Sequence, residues 1–370
     1  MEQKKKLVII VPAHWEALMG GSQYQAKMLI DYLLPQNRFE IFYLARRVPA
    51  HSTNRGYSIV QIAGQTAFRK YGYFLDSIRL YRLLKKIKPD VIYQMVGSAY
   101  TGVAAYYAKK TRCKMFWRIT SDKSVEIQGS LTWREFLPHR LLERRLMGYG
   151  IRRVQYIVAQ TDTQARLLEK NYQRSPTAVI RNTHPIPLIE SSQKSLPLKV
   201  VWIANFKKLK QPEIFVQLAA DLQDRSNAQF VMVGAPAPKE GWYKEIVGRI
   251  SALVNIEYKG ILKQDEVNAL LAESHVLVNT SEYEGFSNTF IQAWLHEVPV
   301  VSLNSNPDNL LDNDYLGGFA NGDYHKLLQL VSSLLDNPMR IKGYGERSRS
   351  FAEKTFSKKN IEQLAALFAQ

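Results

Sequence analysis

The chain has 370 residues, 46% of them hydrophobic, a formal net charge of +17 and a single cysteine, Cys113. That length suits two domains better than one core, and one cysteine excludes an internal disulfide and any multi-cysteine metal site, as in a reducing cytoplasm. The start Met1 to Lys6 is followed by only five apolar residues, Leu7–Val11, so it does not read as a signal peptide, and no apolar run is long enough to span a bilayer.

Short β-rich runs at Leu7–Val11, Phe39–Leu44, Val91–Tyr93, Lys114–Ile119, Tyr156–Ala159 and Ala178–Arg181 alternate with helical patterns, which predicts a doubly wound α/β domain. Leu80, Leu83, Leu84 and Ile87 recur at helical spacing over Arg79–Lys88, and Pro89-Asp90 ends that helix. A polar, proline-marked stretch from Asn182 to Pro197 interrupts the alternation and marks a boundary. The pattern then restarts: strand Lys199–Ile203, helix Pro212–Leu222, strand Phe230–Val233, helix Trp242–Leu253, strand Ile256–Tyr258, helix Asp265–Ala272, strand Val276–Val278 and strand Val300–Leu303. After Gly317-Gly318 only helical patterns follow, at Asp323–Leu335, Arg340–Thr355 and Lys359–Phe368.

Charge divides unevenly along this order. Residues 1–190 hold 31 Lys and Arg against 13 Asp and Glu, a net +18, whereas residues 191–370 hold 19 against 20, a net −1. So basic a half fits an anionic membrane surface, an anionic substrate or nucleic acid, or a merely solvated basic face. The second half carries the more specific signal. Glu284 sits on a short loop after strand Val276–Val278, followed by Gly285, Phe286 and a helix that Ser287 can cap. Such a loop lies at the carboxyl end of a parallel strand, where free helix amides and the helix dipole favour a phosphate and Glu284 adds a charged acceptor.

Glu284-Gly285-Phe286, the helix after it and Pro299-Val300-Val301 resemble the retaining glycosyltransferases of family 4, over nearly the whole chain and most strongly over residues 256–303. The resemblance implies the α/β GT-B fold, two Rossmann-like domains facing each other across a cleft, with C-terminal helices. Residues 1–185 would be the basic acceptor-binding domain, 186–198 the linker, and 199–370 the nucleotide-sugar domain with its terminal helices. The family's second Glu, which typically holds ribose hydroxyls, is Gln292 here, and an amide offers both donor and acceptor for that task. In the loop from Trp202 to Lys210, Lys210 fits the family's diphosphate-binding Lys, while Asn205 replaces its Arg and Lys207 or Lys208 supplies the missing charge. Tyr258, Gly260 and Ile261 fall where the family holds the nucleotide base, and Gly285, Phe286, Ser287 and Asn288 complete the donor set.

In the first domain the resemblance places Gly20-Gly21 on a backbone loop near the ligands; a tight turn explains the pair equally well. Asp122, or less readily His14, stands for a catalytic histidine that the family carries after a middle strand; an N-cap or turn aspartate is the structural alternative. Glu297 replaces a glycine that ends the family's Glu-helix, so a non-glycine is expected at positive φ there. Asp312-Asn313-Asp314 imitates a metal-binding motif of another glycosyltransferase architecture but reads as solvated loop, and Phe68–Phe74 mixes aromatic and basic residues in a way that suits a membrane or acceptor contact as well as core packing.

The expected function is therefore retaining transfer of a hexose from a nucleotide diphosphate sugar to a glycan or polyprenyl-diphosphate-linked acceptor, at the inner face of the membrane. No metal or cofactor is expected, and no nucleic-acid partner. A sugar-nucleotide epimerase of the same fold and a non-enzymatic basic nucleic-acid- or membrane-binding protein are the alternatives; release of free nucleoside diphosphate separates the first, and salt-sensitive RNA binding without nucleotide affinity the second.

Overall fold

The computed structural model describes residues 4–50, 55–63, 72–126, 137–188, 194–238, 240–312 and 315–369, with the backbone alone at 72–75. The chain divides into two compact units, Met1–Thr183 with Lys358–Gln370, and His184–Ser357.

The first unit begins β1 (Lys5–Ala13), α1 (Gly21–Leu33), β2 (Phe39–Arg47), β3 (Ser58–Gln61), α2 (Gly72–Ile87), β4 (Val91–Met95) and α3 (Ala99–Thr111). It continues with β5 (Lys114–Arg118), α4 (Pro138–Arg153), β6 (Tyr156–Ala159), α5 (Asp162–Tyr172) and β7 (Ala178–Val179). Among its described residues seven strands form one sheet, all parallel, in the order β3-β2-β1-β4-β5-β6-β7. Every residue from Leu7 to Val11 is at most 1% exposed, because helices cover both faces of the sheet. Leu7, Ile9 and Val11 meet Ala26, Leu29 and Ile30 of α1, while Val8 and Ile10 meet Leu80 and Leu84 of α2 and the buried residues of α3, α4 and α5. The two-residue period of a strand thus divides one apolar run between two cores.

The second unit repeats the plan with β8 (Leu198–Ile203), α6 (Pro212–Asp221), β9 (Ala228–Val233), α7 (Gly241–Ser251), β10 (Ile256–Tyr258) and α8 (Gln264–Glu273). Then come β11 (Val276–Asn279), α9 (Asn288–Leu295), β12 (Val300–Ser302), β13 (Gly317–Phe319), α10 (Tyr324–Leu335) and α11 (Pro338–Thr355). Among its described residues six parallel strands run β10-β9-β8-β11-β12-β13. In each sheet the winding reverses once, between β1 and β4 and between β8 and β11. Loops leaving the carboxyl ends on either side of such a reversal diverge and leave a crevice for ligands.

Three features depart from the sequence expectations. The last helix, α12 (Lys359–Ala369), does not close the second domain but belongs to the first unit. Its apolar face, Ile361, Leu364, Ala365 and Phe368, joins α1 over the first sheet, and Phe368 packs its ring 5.2 Å from Tyr93 and 5.0 Å from Phe116. The boundary falls after Thr183, so the stretch expected as a linker at 186–198 counts with the second unit; its residues 189–193 lie outside the described ones. Two strands were also unread: β3, a half-exposed edge strand, and β13, which opens on the glycine pair. Gly317 has φ 147°, and a Cβ there would lie 1.9 Å from the carbonyl oxygen of Val300, so this glycine pair admits close strand pairing rather than ending the sheet.

Phe368→Ala tests where the terminal helix belongs. The ring is fully buried in the first unit, so its removal should destabilise that unit by about 3–5 kcal/mol. Hydrogen exchange should show the loss of protection in β1, β4 and β5, with β8, β9 and β11 unchanged.

Candidate active site

The crevice of the second unit is built by two loops. One leaves β8 and makes a short 3-10 turn at Lys208–Lys210 before Gln211 takes a left-handed conformation, φ 45°, ahead of α6. The other leaves β11 at Thr280 and runs to the start of α9. Two hydrogen bonds join them, Glu282 N–H donating to Leu209 O at 2.8 Å and Thr280 Oγ1 to Lys210 O at 2.7 Å, and Trp202 Nε1 of β8 anchors the second loop by donating to Thr280 Oγ1 at 2.9 Å. Thr280 is fully buried and Trp202 is 2% exposed, so this joint is shielded from water.

The joint brings together the two residues that the sequence placed on separate loops. Lys210 Nζ donates a hydrogen bond to Glu284 Oε1, an ion pair with side chains 19% and 18% exposed. Ser281 Oγ donates to the same carboxylate oxygen at 3.0 Å. Ser281 is only 1% exposed, and its neighbour Asn279 holds it through Nδ2 to Oγ at 3.2 Å. Ser281, Thr280 and Trp202 were not among the expected site residues. The Thr-Ser pair just before Glu284 was the available signal, since short hydroxyl side chains in a loop bond to nearby acceptors.

The remaining expected donor residues separate into two groups. Lys207 and Lys208 are exposed beside Lys210; Gly260 has φ 68° with open space where a Cβ would stand; Ile261 is 69% exposed. Ser287 occupies the N-cap of α9, but its hydroxyl makes no capping bond. Gln292 is half-buried, and its side-chain amide has no hydrogen-bond partner among the described residues, while its carbonyl receives His296 Nδ1 at 2.7 Å.

The other group is structural. Asn205 accepts the Ala235 N–H at 3.1 Å and so braces its own loop against the end of β9. Phe286 is 8% exposed, 5.1 Å from Phe356 in the core under α9. Asn288 hydrogen-bonds the buried His184 ring, and Tyr258 donates its hydroxyl to Gly234 O at 2.9 Å with its ring 5.1 Å from Phe206. Glu297 does adopt positive φ, 57°, and Lys194 Nζ steadies that turn by donating to the carbonyls of His296 and Glu297, 3.0 Å each. Asp312 is exposed and accepts from Asn306 Nδ2 at 2.7 Å; Asn313 and Asp314, like residues 68–71 of the aromatic-basic segment, lie outside the described residues.

In the first unit His14 follows β1 and is fully buried, stacked 4.0 Å from Trp15. Its Nδ1 accepts the Glu16 N–H at 3.3 Å, which assigns the ring proton to Nε2, donating to the Tyr57 hydroxyl at 2.9 Å. Burial lowers its pKa to about 4 against the pull of Glu16, so this imidazole is neutral and committed to its neighbours. Asp122 opens a 3-10 turn beyond β5 and accepts from Gln164 Nε2 at 3.0 Å. Gly20 and Gly21 open α1.

Sequence reading passed over the loop after β4, where the β-branched Val96 has φ 69°. Gln94 Nε2 donates to the Met95 and Val96 carbonyls while its Oε1 accepts from Thr101, so a buried network enforces that strain. The strained turn faces β1 across the winding reversal and encloses a cavity of about 90 Å³ lined by Pro12, Val96, Gly97, Tyr100 and Glu143. Among the described residues no group of three or more His, Cys, Asp or Glu is placed to hold a metal ion, and no helix is long and apolar enough to cross a membrane.

Comparison with known proteins places these geometries. Sucrose-phosphate synthase from Thermosynechococcus elongatus superposes with a TM-score of 0.79 over 99% of both chains at 14% identity. The HepE protein of Anabaena, in complex with UDP and glucose, does so with 0.76 over 98% of both chains at 15% identity. The fold is GT-B. Residues 197–337, which contain both crevice loops, match the family model described as glycosyl transferases group 1. An MMP alpha-(1->4)-mannosyltransferase of Mycolicibacterium hassiacum is 22% identical over 258 residues, 66% of this chain. The matched stretch spans 61% of that relative's length.

The buried histidines give the GT-B fold a pH dependence. His184 is 4% exposed, and burial lowers its pKa from 6.5 to about 4 although the Asn288 bond opposes the shift. Its contribution is complete above the unfolded pKa, declines as the unfolded chain takes up a proton the folded chain refuses, and is gone below about pH 4. Acidification from about pH 7.5 to about pH 5 should therefore remove about 2 kcal/mol at this residue. Urea titrations at the two pH values should show His184→Gln losing that much less stability than the parent chain.

Proposed function

We propose that the protein is a retaining hexosyltransferase that moves a hexose from a nucleoside diphosphate sugar to a glycan or lipid-linked glycan acceptor. The observation that carries this reading is the Lys210–Glu284 pair at the winding reversal of the second sheet, inside the region that matches glycosyl transferases group 1. UDP in the HepE complex supports a uridine nucleotide as the donor's leaving group. Gly260 and Ile261 would meet its base, and Gln292 its ribose.

The pair has a chemical logic of its own. A donor diphosphate competes with Glu284 for the Lys210 ammonium, and the open amides at the start of α9 add to the attraction. Donor entry thus moves Lys210 from carboxylate to phosphate and leaves Glu284, oriented by Ser281, to face the sugar. As the glycosidic bond lengthens, negative charge grows on the phosphate and positive character on the sugar, and these two side chains oppose each of them. The departing phosphate can take the acceptor proton on the same face, which gives retention without a protein nucleophile. The basic first half suits an acceptor that carries a lipid diphosphate at the inner membrane face.

Glu284→Gln keeps the shape of the site but removes the charge, so kcat should fall by roughly 10²–10³ with donor affinity nearly kept. Gln292→Ala should raise the donor dissociation constant and leave single-turnover chemistry close to normal, since a ribose contact acts equally in ground and transition states. Near-normal chemistry in Glu284→Gln would remove Glu284 from this role.

Lys210 and the α9 amides supply the charge that a divalent ion supplies to a diphosphate elsewhere. Turnover should therefore persist in EDTA. A complete loss restored by Mg²⁺ or Mn²⁺ would refute that account of the diphosphate site.

A further inference from the structure

A second basic feature lies away from the crevice residues. Arg144, Arg145, Arg152 and Arg153 of α4, with Tyr149 and Tyr172 at its sides, line a groove of about 570 Å³ between α4 and the last turn of α5. None of the residues lining it is acidic, and none of the four arginines pairs with a carboxylate among the described residues. The helix dipole accounts for Arg152 and Arg153, which stand in the last turn of α4. It does not account for Arg144 and Arg145, two turns earlier, and four like charges on one groove repel one another unless an anion joins them.

Packing fixes the direction of this face. α4 is pressed against α3 at Gly102, where a Cβ would lie 2.2 Å from the Leu146 carbonyl oxygen, so the helix cannot roll to disperse its charges. Arg152 stands 6.0 Å from the centre of the Tyr172 ring, and Arg174 fills the carbonyls of Ile151 and Val154 at 2.8 and 2.7 Å, adding a further cation at the same end. The last turn of α4 leads into the amino end of β6, whereas His14, Gly20 and Asp122 follow the carboxyl ends of β1 and β5. The groove shares no lining residue with the cavity at the winding reversal of its own domain, although Glu143 of the same helix lines that cavity.

We propose that this groove seats the phosphate head groups of an anionic lipid bilayer. Guanidinium forks match phosphate oxygens in geometry as well as charge. Leu141, 38% exposed, lines the groove together with the two tyrosines, and Leu137 at the N-cap of α4 is 37% exposed; aliphatic and phenolic side chains next to cations suit the head-group layer, while a nucleic acid gives Leu141 nothing to bury against. The proposal rests on the reading of a membrane-borne acceptor, but binding to vesicles is measured without turnover.

Co-sedimentation with phosphatidylglycerol-containing and pure phosphatidylcholine vesicles decides it. Replacing Arg144, Arg145, Arg152 and Arg153 together by alanine should weaken binding to the anionic vesicles by roughly 10²-fold or more. A control with the same net charge, Lys85, Lys86, Lys109 and Lys110 all to alanine on α2 and α3, should lose less than about tenfold. The melting temperature and the thermal shift with UDP report whether the variants fold and whether the donor domain works; Arg144→Ala/Arg145→Ala, two exposed mid-helix changes, stands in if the fourfold variant does not fold. Equal losses in groove and control variants, or retained binding without the arginines, would overturn the proposal. So would a short RNA whose binding, and not that of vesicles, depends on the four arginines. Absence of any UDP shift in the parent chain, with vesicle binding intact, would refute the transferase reading and leave the groove standing.

Discussion

The hydrogen bonds that tie the β8 loop to the β11 loop are the constraint on which the second unit's site depends. Lys210 and Glu284 are 74 residues apart in sequence and come from strands that are neighbours only because the winding reverses between them. Trp202, a core residue by size, spends its one polar hydrogen on Thr280, and Thr280 spends its own on the Lys210 carbonyl. A hydrophobic core therefore holds two exposed loops in register. Without that anchor a flexible lysine and a loop carboxylate would pair only in passing, since exposed ion pairs contribute little by themselves.

The two winding reversals are used differently. In the second unit the crevice is polar and charged, and its best-placed side chains remain about one-fifth accessible, 19% and 18%. In the first, the carboxyl ends of β1 and β4 are given to aromatic packing around His14 and to a strained turn at Val96 fixed by Gln94 and Thr101. One reversal presents charge, whereas the other presents a rigid wall with a small hollow.

Much of this was legible in the sequence because parallel strands buried on both faces are short apolar runs bounded by turn residues. Leu7–Val11, Phe230–Val233 and Val276–Val278 satisfy that rule, and so were read with near-correct limits. β3 and β13 escaped because one is a half-exposed edge and the other begins with two glycines, neither of which gives an apolar run. The site was partly legible for a related reason. Loop positions such as Lys210 and Glu284 follow strand ends that pattern can locate, but the partners that orient them, Ser281 and Trp202, are chosen by tertiary contact. Asn205 and Phe286 show the converse: spacing put them near the ligand, while packing turned them to bracing and core duties. The placement of α12 could not be read at all, since an amphipathic helix does not announce which sheet it covers.

That placement makes the second unit an insertion within the first. The chain leaves at Thr183 and returns at Lys358, and it is tied on both sides of the crossing: Asn360 Nδ2 bonds Asn182 O at 3.0 Å in one unit, and His184 N–H bonds Phe356 O at 3.0 Å in the other. During synthesis the first sheet thus waits with one face bare at the place of Phe368 until α12 has been made, although β1 to β7 all emerge before the second unit. The domain translated second is therefore complete before the older domain can close its core.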